Sequence, residues 1–158
     1  MVPIVVMGVT GCGKSTIGKA LAERLGVPYS EADDFHPAAN VAKMHSGVPL
    51  TDGDRAPWLA AIASSLGPGD LVVSCSALKR AYRDVLRAGN PDAYFVHLVL
   101  TPETATARVS GRAGHFMPST LVASQFAILE PLGDDENGIG VDATLAVEKI
   151  VEKVLSRL

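Results

Sequence analysis

The stretch GVTGCGKST, residues 8–16, leaves this chain few ways to fold. It satisfies G-x-x-x-x-G-K-[ST], with Gly8, Gly13, Lys14 and Ser15 at the fixed positions. Glycines there let the backbone turn so that successive N–H groups converge on phosphate oxygens. A helix starting at the end of the loop adds the positive end of its dipole. Such a loop needs a buried strand before it and a helix after it, and the flanking residues supply both. PIVVM (3–7) is an unbroken apolar run of strand length. Ile17, Ala20, Leu21 and Leu25 share one face of a helix expected from Lys14 to Leu25, which Gly26 stops. The loop therefore reads as a nucleotide-binding cradle formed by Gly8, Val9, Thr10, Gly11, Cys12, Gly13, Lys14, Ser15 and Thr16. Lys14 would reach the β- and γ-phosphates of ATP, and Ser15 would ligate Mg²⁺.

The rest of the chain continues the alternation. VPYSE is a weak second strand, LVVSC (71–75) a third with both faces buried, AYFVHLVL (93–100) a fourth and IGV a short last one. Between them lie helical stretches at 38–66 in two pieces, at ALKRAYRDVLRAG, after Thr101-Pro102, and at 118–130. Thr51 with Asp54 forms a capping box at the second piece of 38–66. The C-terminal helix has Val147, Ile150, Val151, Val154, Leu155 and Leu158 on one face. Repeated βα units predict an α/β fold: a parallel five-stranded sheet with helices on both faces.

Bulk properties exclude several functions. A length of 158 residues suits one domain with a full core. A net charge of −3 without a basic block gives no support to a nucleic-acid partner. No apolar run approaches the roughly 18 residues of a membrane span. Cys12 and Cys75 are far apart, so neither a disulfide framework nor a zinc site is expected, and a cytoplasmic setting follows.

A phosphate cradle does not say what becomes of the nucleotide. A GTPase switch needs Asn-Lys-x-Asp, and no asparagine here precedes a lysine; the Asp-x-x-Gly at Asp135–Gly138 lies in a polar loop. An ATPase motor needs an apolar strand ending in an acid, whereas LVVSC runs into Ser74-Cys75-Ser76. The acids available to the site follow the second strand, in EADDFHP (31–37).

Four segments in this order, GVTGCGKST, EADDFHPAANVAKMHSGVPLTDGDRAPWL, VVSCSALKRAYRDVLR and GRAGHFMPSTLVASQFAILE, resemble the gluconokinases, small kinases related in fold to shikimate kinase and adenylate kinase. The resemblance runs to about Pro131. It implies the P-loop kinase fold, ATP-dependent phosphorylation of D-gluconate to 6-phospho-D-gluconate, a Mg²⁺ requirement, a lid at about 110–120, acceptor-binding helices at about 36–66, and a homodimer. The chain departs from the pattern at Cys12, where serine is common, at Ala32 for a frequent glycine, and at Glu31, where some relatives have aspartate.

On that basis Asp33 is the acid that meets the attacking hydroxyl, as base or orienter, with water-mediated Mg²⁺ coordination as its alternative role. Its neighbour Asp34 either joins the site or, as one of two adjacent acids usually does, faces away. His36 either bonds a substrate hydroxyl or fixes the loop before Pro37. A sugar acid needs cations for its carboxylate and neutral groups for its hydroxyls. Lys43, Arg55, Lys79 and Arg83 are the candidate cations, and Ser76, with Ser74, sits at the strand edge where α/β sheets bind ligands. Lys79 and Arg83 are four apart and expected on one helix face, with Arg80 and Arg87 pointing elsewhere. Trp58 reads as core, and His45 and His97 as structural. Arg108 and Arg112 are expected to hold ATP from the lid side, with His115 as a further lid contact. The rival readings are a kinase of the same fold acting on another hydroxy acid such as shikimate, and a non-catalytic nucleotide-binding module.

Overall fold

The structure, a computed structural model, describes residues 2–67, 69–110 and 119–158. Five strands form one sheet: β1 (Ile4–Met7), β2 (Tyr29–Glu31), β3 (Val72–Ser74), β4 (Tyr94–Val99) and β5 (Gly138–Asp142). Their order is β2-β3-β1-β4-β5 and every pair is parallel. The α-helices among the described residues are α1 (Lys14–Leu25), α2 (Ala38–His45), α3 (Asp52–Leu66), α4 (Arg80–Gly89), α5 (Pro102–Ser110), α6 (Ser119–Ile128) and α7 (Val147–Leu155). The α/β architecture expected from the sequence is the one observed.

The unbroken apolar strands are explained by two separate cores. In β1, Ile4 and Val6 enter one cluster while Val5 and Met7 enter the other. The first cluster is completed by Ile17 and Leu21 of α1 and by Ile150, Val151 and Val154 of α7. The second is completed by Trp58, Leu59, Ile62 and Leu66 of α3 and by Tyr82 and Leu86 of α4. Successive strand side chains point to opposite faces, so a strand covered on both sides must be apolar throughout.

Parallel pairing also decides where the chemistry can lie. The C-terminal ends of β1, β2 and β3 share one sheet edge, which brings the glycine loop, Glu31 and Ser74 together; Ser74 is in register with both Val6 and Glu31. A capping box fixes the start of α3: Thr51 Oγ1 accepts from the Asp54 N–H at 3.1 Å, and Asp54 accepts from the Thr51 N–H at 2.9 Å. The helix after β3 begins at Arg80, later than ALKRAYRDVLRAG suggests. Ala77 has φ 43°, and Lys79 is extended, so both belong to the connection rather than to α4.

Candidate active site

The glycine loop leaves β1 with φ 146° at Gly8, 87° at Gly11 and 92° at Gly13, values that side chains resist. A Cβ on Gly8 would press on Cys12 Sγ and the Leu98 carbonyl, whereas one on Gly13 would meet nothing within 4 Å. The first glycine is needed for packing. The second opens the concave side of the loop at the N-terminus of α1, where a phosphate group fits. Lys14 Nζ bends back to donate to the Val9 carbonyl at 3.2 Å, bracing the loop. Buried Cys12 occupies a packing position within it.

Behind the loop lies a polar cluster. Ser15 Oγ donates to Glu31 Oε2 at 2.6 Å, and the Tyr29 hydroxyl lies 2.7 Å from the same oxygen and 2.9 Å from Ser74 Oγ. Ser74 Oγ in turn donates to the Lys14 carbonyl at 2.8 Å. Burial foremost pushes the Tyr29 phenol up to about 12, so it stays protonated. The serine hydroxyl and the glutamate carboxylate are hard oxygen donors at the mouth of a phosphate cradle, a set that fits Mg²⁺. Glu31, whose place the sequence left open, thus stands nearest the loop's serine.

In front of the loop is a cleft. Lys14, Asp33, His36, Arg55 and Ser76 all line it, together with Thr10, Trp58, Gln125 and an apolar wall that includes Met44 and Leu50. Asp33 lies in the 3₁₀ turn 32–35 after β2. Asp34, its neighbour, is exposed and is not among the lining residues. His36 stacks on Trp58, with ring centres 4.2 Å apart and planes 12° from parallel. Burial, aided by the Arg55 charge, lowers the His36 pKa to about 4, so the ring is neutral near pH 7. Trp58 is core, as expected, but its Nε1–H also donates to the Ala32 carbonyl at 2.7 Å and so holds the acidic turn. Arg55 is fixed by bonds from its guanidinium to the Leu50 carbonyl at 2.7 Å and to the Tyr82 hydroxyl at 3.0 Å. Gln125 of α6 accepts from the Thr10 N–H at 2.7 Å, tying the cradle to the far wall. The sequence reading passed over Gln125, although a glutamine inside the apolar run of α6 was a visible signal.

Other expected residues lie elsewhere. Arg83 is fully buried and makes a two-pronged pair with Glu136, at 2.7 and 2.9 Å, while donating to the Ala77 carbonyl at 2.9 Å. It does not share a face with Lys79, because Lys79 precedes the helix and the four-residue spacing has no meaning there. The true same-face partner of Arg83 is Arg87, which reaches the same glutamate at 2.9 Å. Lys79 pairs with Asp52 at 3.2 Å, and Lys43 with Asp54 at 2.7 Å, so both are engaged at the rim rather than in the cleft wall. Their carboxylate partners are held below the usual range: Asp52 first by its bond from Tyr82, and Asp54, at about 2, first by Lys43.

Arg108 approaches the loop from the other side, donating to the Gly11 carbonyl at 3.1 Å. With Gly13, Thr16, Ala143 and Leu145 it frames a second recess beside the start of α1. Arg112 and His115, and most of the expected lid, lie outside the described residues.

Comparisons with known proteins agree with this arrangement. A family model described as shikimate kinase matches residues 10–157. A gluconokinase of Gluconobacter oxydans (strain 621H) is 46% identical, over 96% of this chain and 88% of that protein. The crystal structure of a sugar kinase from Janibacter sp. HTCC2649 is 45% identical, with a TM-score of 0.94 over 99% of this chain and 93% of that one. That of a gluconokinase from Sinorhizobium meliloti 1021 is 46% identical, with a TM-score of 0.90 over 98% and 90%. With the strand order, the glycine loop and the acidic turn already in place, these likenesses settle the family: the chain belongs to the gluconokinases, on the P-loop kinase fold.

Proposed function

We propose that this protein transfers the γ-phosphoryl group of ATP to D-gluconate, giving ADP and 6-phospho-D-gluconate, with Mg²⁺ at the Ser15–Glu31 side of the cradle. One observation carries the reading: Lys14 shares a single cleft with Asp33, His36, Arg55 and Ser76, so a phosphate-binding group faces the acceptor-binding ones. Such transfer needs alignment and charge neutralisation more than covalent help from the protein.

The residues divide as follows. Backbone N–H groups of the loop and Lys14 hold the phosphates, and Ser15, oriented by Glu31, presents its oxygen to the cation. Ser15 and Glu31 are the residues that would hold Mg²⁺, which when bound would supply neutralisation of the phosphate charge. Asp33 accepts the hydrogen bond of the attacking hydroxyl and aims it, while Arg55, His36 and Ser76 bind the acceptor's carboxylate and hydroxyls. Arg108 and the recess around Ala143 take the nucleoside end of ATP, and Arg112 and His115 act from the lid. Lys43 and Lys79 set the rim charge of the acceptor side. A homodimer in the cytoplasm belongs to the same reading; no described helix is long and apolar enough to cross a membrane.

The test is a coupled ADP-release assay with Mg-ATP against gluconate, other sugar acids, shikimate and nucleoside monophosphates. Gluconate should give the highest kcat/KM, and ADP release no faster with any acceptor than without would end the kinase reading. Within it, Asp33→Asn should lower kcat by about 10²–10⁴-fold, the usual range for a group acting on the transferred proton. The ATP dissociation constant should stay within about twofold, and an unchanged kcat would remove Asp33 from the acceptor contact.

A further inference from the structure

His36 is the cleft residue whose hydrogen-bonding role is ambiguous on chemical grounds, because a neutral imidazole donates from one nitrogen and accepts at the other. Its neighbour Asn40, one helical turn on in α2, is buried. The Asn40 side-chain nitrogen lies 2.8 Å from the Asp54 carbonyl oxygen and 3.2 Å from His36 Nδ1. A backbone carbonyl only accepts hydrogen bonds, so the amide atom beside it must be the NH₂ group. The flipped amide would set two oxygens against each other inside the protein. With one N–H given to Asp54, the other points to His36 Nδ1, which must therefore be the ring's acceptor. Among the described residues the hydrogen bond of the ring is the one at Nδ1. No buried side-chain polar atom is left unpartnered, so Nε2 is not sealed off, while one face of the ring is covered by Trp58.

We propose that Asn40 is a positioning residue that locks His36 in the Nε2–H tautomer, so that the ring meets the acceptor substrate as a hydrogen-bond donor. The substrate atom it addresses must be an oxygen with a free lone pair, from a carboxylate or a hydroxyl, and an ammonium there is refused. The charged groups around the ring do not undo this. Arg55 repels a second ring proton, Lys14 and Asp33 lie across the same cleft, and the Asp54 carboxylate is occupied by Lys43 and the Thr51 N–H. The substrate half of the proposal rests on the acceptor-pocket reading above; the tautomer half does not.

The two halves are tested separately. In the ligand-free full chain labelled with ¹⁵N-histidine, a long-range ¹H–¹⁵N spectrum at pH 7, with His36 identified by its loss in His36→Gln, should show a protonated Nε2 and a bare Nδ1. In Asn40→Asp the carboxylate cannot donate, so the proton should move to Nδ1 and the pattern reverse. A wild-type ring protonated on Nδ1 overturns the proposal, as does a reversal that fails to occur; if Asn40→Asp does not fold, the wild-type spectrum alone decides. In the kinase assay Asn40→Asp should raise KM for gluconate about tenfold, the loss of one hydrogen bond to substrate, with KM for ATP within about twofold. Equal rises in both constants indicate general loosening and overturn the positioning role. Absence of gluconate phosphorylation in the wild type ends the function proposed above and leaves the tautomer result standing.

Discussion

At the scale of single residues, acids two positions apart reach different surroundings because the chain turns between them. Glu31 ends β2 and turns to Ser15, whereas Asp33, two positions later in the 3₁₀ turn, faces the cleft. The sequence placed the strand end at Glu31 and Asp33 just past it, as observed, but gave no sign that Glu31 turns to Ser15. Two other residues set the acid response of the protein. His36 and His97 both have pKa values of about 4 against an ordinary 6.5, mainly because burial disfavours the imidazolium. The unfolded chain binds more protons between those values, so stability is full above about pH 6.5 and falls as pH drops toward 4. Asp54 and Glu136, both held at about 2 against ordinary values of 3.8 and 4.5, lose their contribution only at the acid end of that window and below. Burial opposes ionisation of Glu136, and the bonds from Arg83, Gly133 and Arg87 outweigh it. Urea midpoints should therefore decline between pH 7 and pH 4.5, and a flat profile would contradict buried neutral histidines.

At the scale of elements, sequence punctuation was most reliable where a cap chemistry exists. Thr51 and Asp54 mark the start of α3 by a reciprocal pair of bonds, and the structure shows both. Thr51→Ala should cost about 1 kcal/mol, the usual value of such a cap, read as a shift in urea midpoint at constant m-value. A loss well under half of that would mean that packing of Trp58 and Leu59 already fixes the helix start. The beginning of α4 had no comparable signal. Three residues expected in the helix, Ala77 to Lys79, form the connection instead, and this shift of one turn sent Arg83 inward and Lys79 to the rim. Helical spacing predicts shared faces only inside the helix, so an error in a boundary becomes an error in a site.

At the scale of the whole molecule, Arg83 shows what holds the site edge in place. Its guanidinium joins α4, the Ala77 carbonyl beside the cleft, and Glu136 in the segment before β5. Removing Arg83 is costly, because buried Glu136 then loses both of its bonds from Arg83 and keeps Arg87 as its one remaining arginine partner. Arg83→Met should therefore lose about 3–5 kcal/mol of folding stability, measured by urea denaturation, and Arg83→Met with Glu136→Leu should lose less than the single change. Additive losses in the double variant would show that packing, not charge pairing, dominates there.

What the sequence determined by itself was the phosphate cradle, the run of βα units and the approximate place of every strand. These are short-range properties: glycine conformational freedom, apolar runs of strand length and helix caps. The acids after the second strand were singled out by elimination; the resemblance in four segments added the family, and Arg55 of the cleft came with it. Only the tertiary structure decided the order β2-β3-β1-β4-β5, the hold of Glu31 on Ser15, the burial of Arg83 and the grip of Asn40 on His36. Each depends on residues apart in the chain being brought within about 3 Å of each other; even the Asn40–His36 contact, four residues apart, takes its direction from the Asp54 carbonyl fourteen residues on. Hydrogen-bond energy falls off over such a distance, and no local pattern encodes it.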